Sequence, residues 1–443
     1  MRPDTGFLIR GGMGKCRPVM NTSQETVSPG MPDTGVKSAR YRNLALIMGL
    51  GMFASTFSQT GVLGLYPFRF LLKDQLHEGP FRVALFMQLA AMPWNLKIIA
   101  GIICDGLPLF GSRRRYYLLL STLLSGLLWL AIALVPPAFV PLVLMATLMN
   151  IALVFVSTVA GGLLVEGGQT FRATGRLSAL RVIVMNVASL GIPLGAFLAS
   201  GAFGISAMAA AIPLFLVCLF TFLFYREDRV VRPDPKIWTG IAAQLRIAGR
   251  SRALWATAGL LFLVQFAPGF STPLMFYQTN DLHFSENTIG ILTLVDACAG
   301  ITGAFFYGYF CKRFALRPLL YAGVLGTGLI SLFYLGYNDF KSALLIEAAY
   351  YFAYALVQMP LYDLAARATP KGSEALGYSI IISVWNWGLF FSDLIGSHLY
   401  ENRHFSFKQL VWLNAATTLV VLVAVPFLPK LLVDRREEET ASV

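Results

Sequence analysis

Runs of about twenty apolar residues recur from one end of this 443-residue chain to the other, separated by short charged islands. Twenty helical residues cover roughly 30 Å, the thickness of a bilayer's hydrocarbon core. In hydrocarbon a backbone has no water to bond, so such runs are helices that satisfy their own N–H and C=O groups. Charged residues make up only 13% of the chain, against about 25% in a typical soluble domain. Mean hydropathy is +0.65. The fold class implied is an all-α polytopic membrane protein.

Twelve spans are predicted, near 43–70, 80–104, 116–136, 139–165, 177–200, 204–225, 253–278, 286–310, 318–337, 342–365, 374–399 and 407–429. The connections test this count, because Lys and Arg collect in cytoplasmic loops. The even connections carry Arg113, Arg114 and Arg115, then Arg172 and Arg176, then seven basic residues between 226 and 252, then Lys312, Arg313 and Arg317, then Arg367 and Lys371. The odd connections are nearly bare: "VPPAF", "SGAFG" and "TNDLHFSENT" carry none and only the first and last outer loops carry some, so both termini are expected in the cytoplasm. The resulting organisation is a polar N-terminal tail (1–42), a six-helix half (43–225), a central loop (226–252), a second six-helix half (253–430) and a short tail (431–443). Within the loop, 238–247 reads as an amphipathic helix lying on the membrane surface. Gly101–Asp105 and Gly308–Lys312 hold equivalent places in the two halves, a trace of the internal repeats common in secondary transporters.

The net charge of +12 is explained by these loops and gives no nucleic-acid motif. The five cysteines form no CxxC and suggest neither disulfide nor zinc. No HExxH, GxSxG or phosphate-binding glycine loop occurs, so no cofactor is expected and an enzyme is disfavoured. No connection is long enough for a nucleotide-hydrolysing domain. Transport must then draw on a gradient or run downhill. A receptor that binds without accumulating ligand is the other class to separate from it.

Charges at bilayer depth cost roughly 2.5–3.5 kcal/mol each on insertion scales and so mark function. Lys97 lies roughly 10 Å inside span 2; it either snorkels or lines a cavity and attracts an anion. Asp296, in the middle of span 8, is too deep to snorkel and is the leading candidate as proton carrier or substrate ligand, with a buried structural pairing as the alternative. Asp393 and Glu347 fall nearer the outer side. Asn150, Gln265, Gln358 and Asn386 are amides that need partners across helices or in a wet cavity. Trp94, Trp385 and Trp387 suit ring stacking or interfacial anchoring.

At the second-to-third connection, Asp105 stands close to Arg113, Arg114 and Arg115. The arginines are topology signals, or with Asp105 they form a latch between halves that opens during transport. Glu166 with Arg181, and Asp363 with Arg367, are candidate gate pairs in the two halves.

"PWNLKIIAGIICDGLPLFGSRRRYY" resembles the signature of the folate–biopterin transporter family, within the major facilitator superfamily. "LLVEGGQTFRATGRLSALR" and "PLYDLAARATPKGSEALGYSIIISVWNWGLFFSDLIGSHL" are similar to two further blocks of that family. Two departures stand out: Gly161-Gly162 where the family often has Asp-Ala, and Ile98 where a proline often follows the lysine. The resemblance implies a monomeric symporter in a lipid bilayer of the bacterial inner-membrane type. It would move folate, pterin or a related anionic aromatic metabolite by alternating access, with protons. A major facilitator carrier of another small solute, such as a drug, sugar or peptide fragment, is the alternative.

Overall fold

A computed structural model describes residues 34–112, 114–170, 174–226, 236–310, 316–370 and 374–428. Every regular element among them is helical. Met1–Arg40 forms a unit apart from Tyr41–Val443, and only the opening turns of span 1 are described in it.

Twelve spans succeed one another. Seven are singly long and apolar enough to cross a bilayer; of the others, spans 1, 2, 5 and 7 are interrupted helices and span 8 is one unbroken helix. Spans 1 to 6 are Thr34–Phe57 with Leu65–Phe70, Pro80–Ala91 with Lys97–Gly106, Arg115–Leu134, Phe139–Thr170, Thr174–Ser189 with Gly191–Ala199, and Phe203–Phe224. Spans 7 to 12 are Arg252–Gln265 with Ser271–Phe276, Glu286–Phe310, Leu316–Ser331, Phe340–Arg367, Glu374–Asn402 and Phe407–Val420. Between the two sets, Lys236–Arg250 is helical and meets span 7 at 73°. Ser251 makes that corner, its Oγ accepting from the Leu254 N–H at 3.2 Å as an N-cap. Large apolar side chains such as Leu144, Phe222, Phe305 and Leu345 point outward, as a lipid-facing surface requires.

The internal repeat is plainest in the first span of each half. Spans 1 and 7 each break, resume as a six-residue helix, and close in a wide π turn, Leu71–Gln75 and Tyr277–Asp281. Each π turn runs into Leu-His with the histidine left-handed, His77 at φ 53° and His283 at φ 54°. The Glu78 N–H donates to the Leu72 carbonyl at 3.0 Å, and the Phe284 N–H donates to that of Gln278 at 2.9 Å.

Both breaks free backbone carbonyls at membrane depth, and neighbouring spans satisfy them. In span 1, the Ser58 carbonyl accepts from the Trp129 indole at 3.0 Å, and the Thr60 hydroxyl accepts from the Asn150 amide at 3.1 Å. In span 7, the Ala267 carbonyl accepts from Ser392 Oγ at 2.6 Å and the Pro268 carbonyl from the Asn414 amide at 2.9 Å. A glycine lets the backing helix in: Gly195 of span 5 lies against the Leu63 carbonyl, and Gly396 of span 11 against that of Gly269. At neither position is there room for a Cβ.

The largest core joins spans 1 to 6, with Phe68 meeting the rings of Phe86, Trp129 and Phe203. It also takes in Met275, Phe276 and Ile289 from spans 7 and 8, so it ties the two sets of spans together toward the arginine-poor end. There the Phe81 N–H donates to Glu401 Oε2 at 2.7 Å, joining the start of span 2 to the end of span 11.

Candidate functional site

Between the two sets of spans lies a cavity of about 730 Å³, within the range of small-molecule sites. Its lining is unusually polar for a membrane interior and includes Asp296, Gln265, Gln358, Asn386 and Asp393. Two charged residues that the sequence ranks low or passes over, Glu347 and Arg69, line it as well.

Glu347 is buried in span 10. Its Oε2 accepts from the Tyr334 hydroxyl at 2.6 Å and its Oε1 from that of Tyr337 at 3.1 Å. The local fold explains this double contact. Leu332–Gly336 is a 3₁₀ turn, in which residues three apart eclipse. The two phenol rings therefore stack, 5.5 Å apart and 7° from parallel, and aim both hydroxyls at one carboxyl group. The Gln278 amide completes the set by donating to the Tyr337 hydroxyl at 2.6 Å. Asp296 of span 8 lines the cavity close enough to interact with the Glu347 carboxyl, and its Oδ1 has no hydrogen-bond partner among the described residues. Two ionised carboxylates hold only acceptors, so neighbouring carboxyl groups bond each other only when one carries a proton.

Arg69 is 5% exposed and lies beyond the break of span 1. Its Nη2 donates to Ser271 Oγ at 3.1 Å and to Thr272 Oγ1 at 3.3 Å, across to span 7. Asp393 of span 11 orients that threonine: Oδ1 accepts from its N–H at 3.0 Å and Oδ2 from its hydroxyl at 2.7 Å. The guanidinium and the Asp393 carboxylate are thus linked through one hydroxyl, while Arg69 Nε is buried with no partner among the described residues. On span 10, Glu347, Tyr350, Tyr351, Tyr354 and Gln358 make one cavity-facing stripe at helical spacing. Gln358 leaves both amide atoms without a partner there, and Gln265 leaves its Nε2.

Lys97 and Asn150 stand elsewhere than expected. Neither belongs to the cavity lining. Lys97 donates to Ser157 Oγ at 2.6 Å and lies 5.6 Å from the centre of the Trp94 ring. Asn150 is fully buried, accepting from the Trp94 indole at 3.0 Å while donating to Thr60. Both support Trp94, which does line the cavity. Trp385 stacks on Tyr362 at 4.7 Å, and Trp387 packs on Phe390 and Phe391.

Among the gate candidates, Arg113 and the side chains of Asp105, Glu166 and Asp363 lie outside the described residues. Arg114 is buried with its guanidinium over Gly162, where an added Cβ would come within 2.5 Å of Cζ. The missing side chain at Gly162 therefore makes room for Arg114. Arg115 Nη2 donates to the Phe222 carbonyl at 3.1 Å, closing the end of span 6. Arg181 is exposed, and Arg367 is half-buried at the end of span 10.

A model of the BT1 family matches residues 60–442. The folate-biopterin transporter of Synechocystis sp. is 29% identical over 405 residues, covering 84% of this chain and 80% of that protein. Folate transporter 1 of Plasmodium falciparum is 24% identical over 385 residues, covering 81% and 74%. In fold, a D-xylose-proton symporter superposes with a TM-score of 0.66 at 16% identity, covering 88% of this chain and 98% of the other. The inward-open xylose transporter XylE of E. coli gives 0.63 at 13%, covering 88% and 96%. With a family model spanning nearly all of its helices, and the major facilitator fold beneath it, the chain belongs to the BT1 family of membrane transporters.

Proposed function

We propose that the protein carries folate, pterin or a closely related anionic heteroaromatic solute by alternating access, and that a proton moves with it. The observation that carries this reading is the Asp296–Glu347 pair, two neighbouring carboxyl groups inside a cavity that both sets of spans line. Its relatives are named as folate and folate-biopterin transporters, which supplies the substrate class.

The arginine-rich end is the cytoplasmic one in this account. At the opposite end the cavity is shut by contacts between the two sets of spans, Arg69 to Ser271 and Thr272, and Phe81 to Glu401. Entry from outside requires these to part while the arginine-rich ends close. Because the broken spans 1 and 7 carry both the contacts and the cavity wall, a rocking of one half against the other changes access and site together. A proton on the carboxyl pair removes one negative charge from the cavity and so favours an anionic solute. Its release on the cytoplasmic side then favours dissociation.

Uptake of labelled folate and labelled biopterin into proteoliposomes, with and without an inward proton gradient, tests the reading. Accumulation above the equilibrium level only with the gradient is expected. Folded protein that accumulates neither compound would end it.

A further inference from the structure

The cavity's polar atoms without partners among the described residues are not scattered. Apart from Asp296 Oδ1, they fall into two groups, one on Arg69 and one on Gln358 and Gln265, with the tyrosines of span 10 in the same lining. At one group, Arg69 lines the cavity with a buried Nε–H that has no partner among the described residues, while its Nη2 edge is held by two hydroxyls, one of which Asp393 orients. A fixed, flat guanidinium with a free N–H suits a carboxylate better than a point charge would. At the other group, Gln358 offers one donor and one acceptor and Gln265 a further donor, all buried and without partners there. An amide pair of this kind matches the alternating donors and acceptors on the edge of a lactam or aminopyrimidine ring. In the same lining, Tyr350 and Tyr354 lie parallel within 14°, 6.0 Å between centroids, beside Tyr351. Along the lining helices the polar residues extend over a small molecule's length. Asp393, which sets the Arg69 end, lies seven residues along span 11 from Asn386, about 10 Å, and Glu347 lies eleven from Gln358, about 16 Å.

We propose that the cavity reads its substrate at two ends, Arg69 binding a carboxylate and Gln358 with Gln265 binding the polar edge of a heteroaromatic ring laid along the tyrosines. The inference rests on the transport reading above and adds to it an orientation: ring toward the arginine-rich end, carboxylate arm toward the arginine-poor end. It also separates two substrates of one ring class. Folate has a carboxylate arm, whereas biopterin has only a hydroxylated chain. Arg69 therefore sets the preference between them, and Gln358 binds what they share.

The test is the ratio of folate to biopterin uptake, measured in one preparation of proteoliposomes so that differences in protein yield cancel. Arg69→Gln is expected to lower that ratio fivefold or more, and Gln358→Leu to lower uptake of both compounds together. A change of less than fivefold with Arg69→Gln overturns the proposal. Should that variant carry neither compound, the wild-type protein decides the matter with folate whose two glutamate carboxyls are amidated. Uptake at least fivefold slower than that of folate supports the carboxylate end, and a smaller difference overturns it. Wild-type protein that carries neither folate nor biopterin overturns the transport reading and the proposal together, so the two failures are told apart.

Discussion

Gly396→Ala places a methyl group on the Gly269 carbonyl oxygen, at the point where span 11 backs the break in span 7. The obstacle is backbone, so no side chain can rotate away and the helices must separate. Overpacking of this kind costs about 1–3 kcal/mol. Separation also lengthens two bonds that run between the same segments, Gly269 N–H to the Ser392 carbonyl at 2.9 Å and Ser392 Oγ to the Ala267 carbonyl at 2.6 Å. At about 1 kcal/mol net for each bond, the total is about 3–5 kcal/mol if both are lost. Gly326→Ala is the comparison, because a methyl there meets nothing within 4 Å and a helix-interior alanine is favoured by about 0.5–1 kcal/mol. Thermal unfolding in detergent, followed by the loss of the monodisperse peak on size exclusion, is expected to drop by several degrees for Gly396→Ala. For Gly326→Ala it should hold or rise. Equal midpoints for wild type and Gly396→Ala would refute the close crossing of spans 7 and 11.

Two further outcomes concern the arginine-poor end. Glu401→Ala removes a charged acceptor from the Phe81 N–H, one of the donors that the helix of span 2 leaves unsatisfied at its start, at a cost of about 1.5–3 kcal/mol. In a background lacking the native cysteines, a cysteine at Ser271 should then react faster with a membrane-impermeant thiol reagent, and an unchanged rate would remove Glu401 as a closing contact. At the outer start of span 10, the Ser342 hydroxyl and N–H hold the Asp339 carboxyl below the usual carboxylate range. Since the folded value lies below the unfolded one, the cap is fully effective above the ordinary range and is lost only as pH falls through the lowered value. The protection factor of the Ser342 amide, the intrinsic base-catalysed rate divided by its exchange rate, should therefore be flat from pH 8 to pH 5; a fall already at pH 6 would contradict it.

The number of spans, their order and the basic connections can be read from the length and spacing of apolar runs, since each run answers to one bilayer thickness. The interruptions cannot, and they account for the misplaced site residues. Closing span 1 at residue 70 puts Arg69 at its edge, but the π turn continues the span to Gln75 and carries Arg69 inward. Phasing span 2 as one uniform helix misdirects Lys97. Met92–Leu96 is a 3₁₀ turn, and five residues at 120° rather than 100° rotate the rest of the span by about 100°, turning Lys97 toward Ser157. Distance from the helix end is a poor guide to Glu347, because its burial comes from Tyr334 and Tyr337 folding over it from the preceding connection. By contrast Asp296, Gln265, Gln358, Asn386 and Asp393 sit in or beside stretches whose helical phase is unbroken, and these do line the cavity.

Proton movement coupled to substrate tests the central claim most directly. Proteoliposomes loaded with a pH-sensitive dye, and held without an imposed gradient, are given external folate. The account predicts acidification of the interior by wild-type protein, absent with Glu347→Gln and with Asp296→Asn. Folate entry by wild-type protein with no change in internal pH would contradict it.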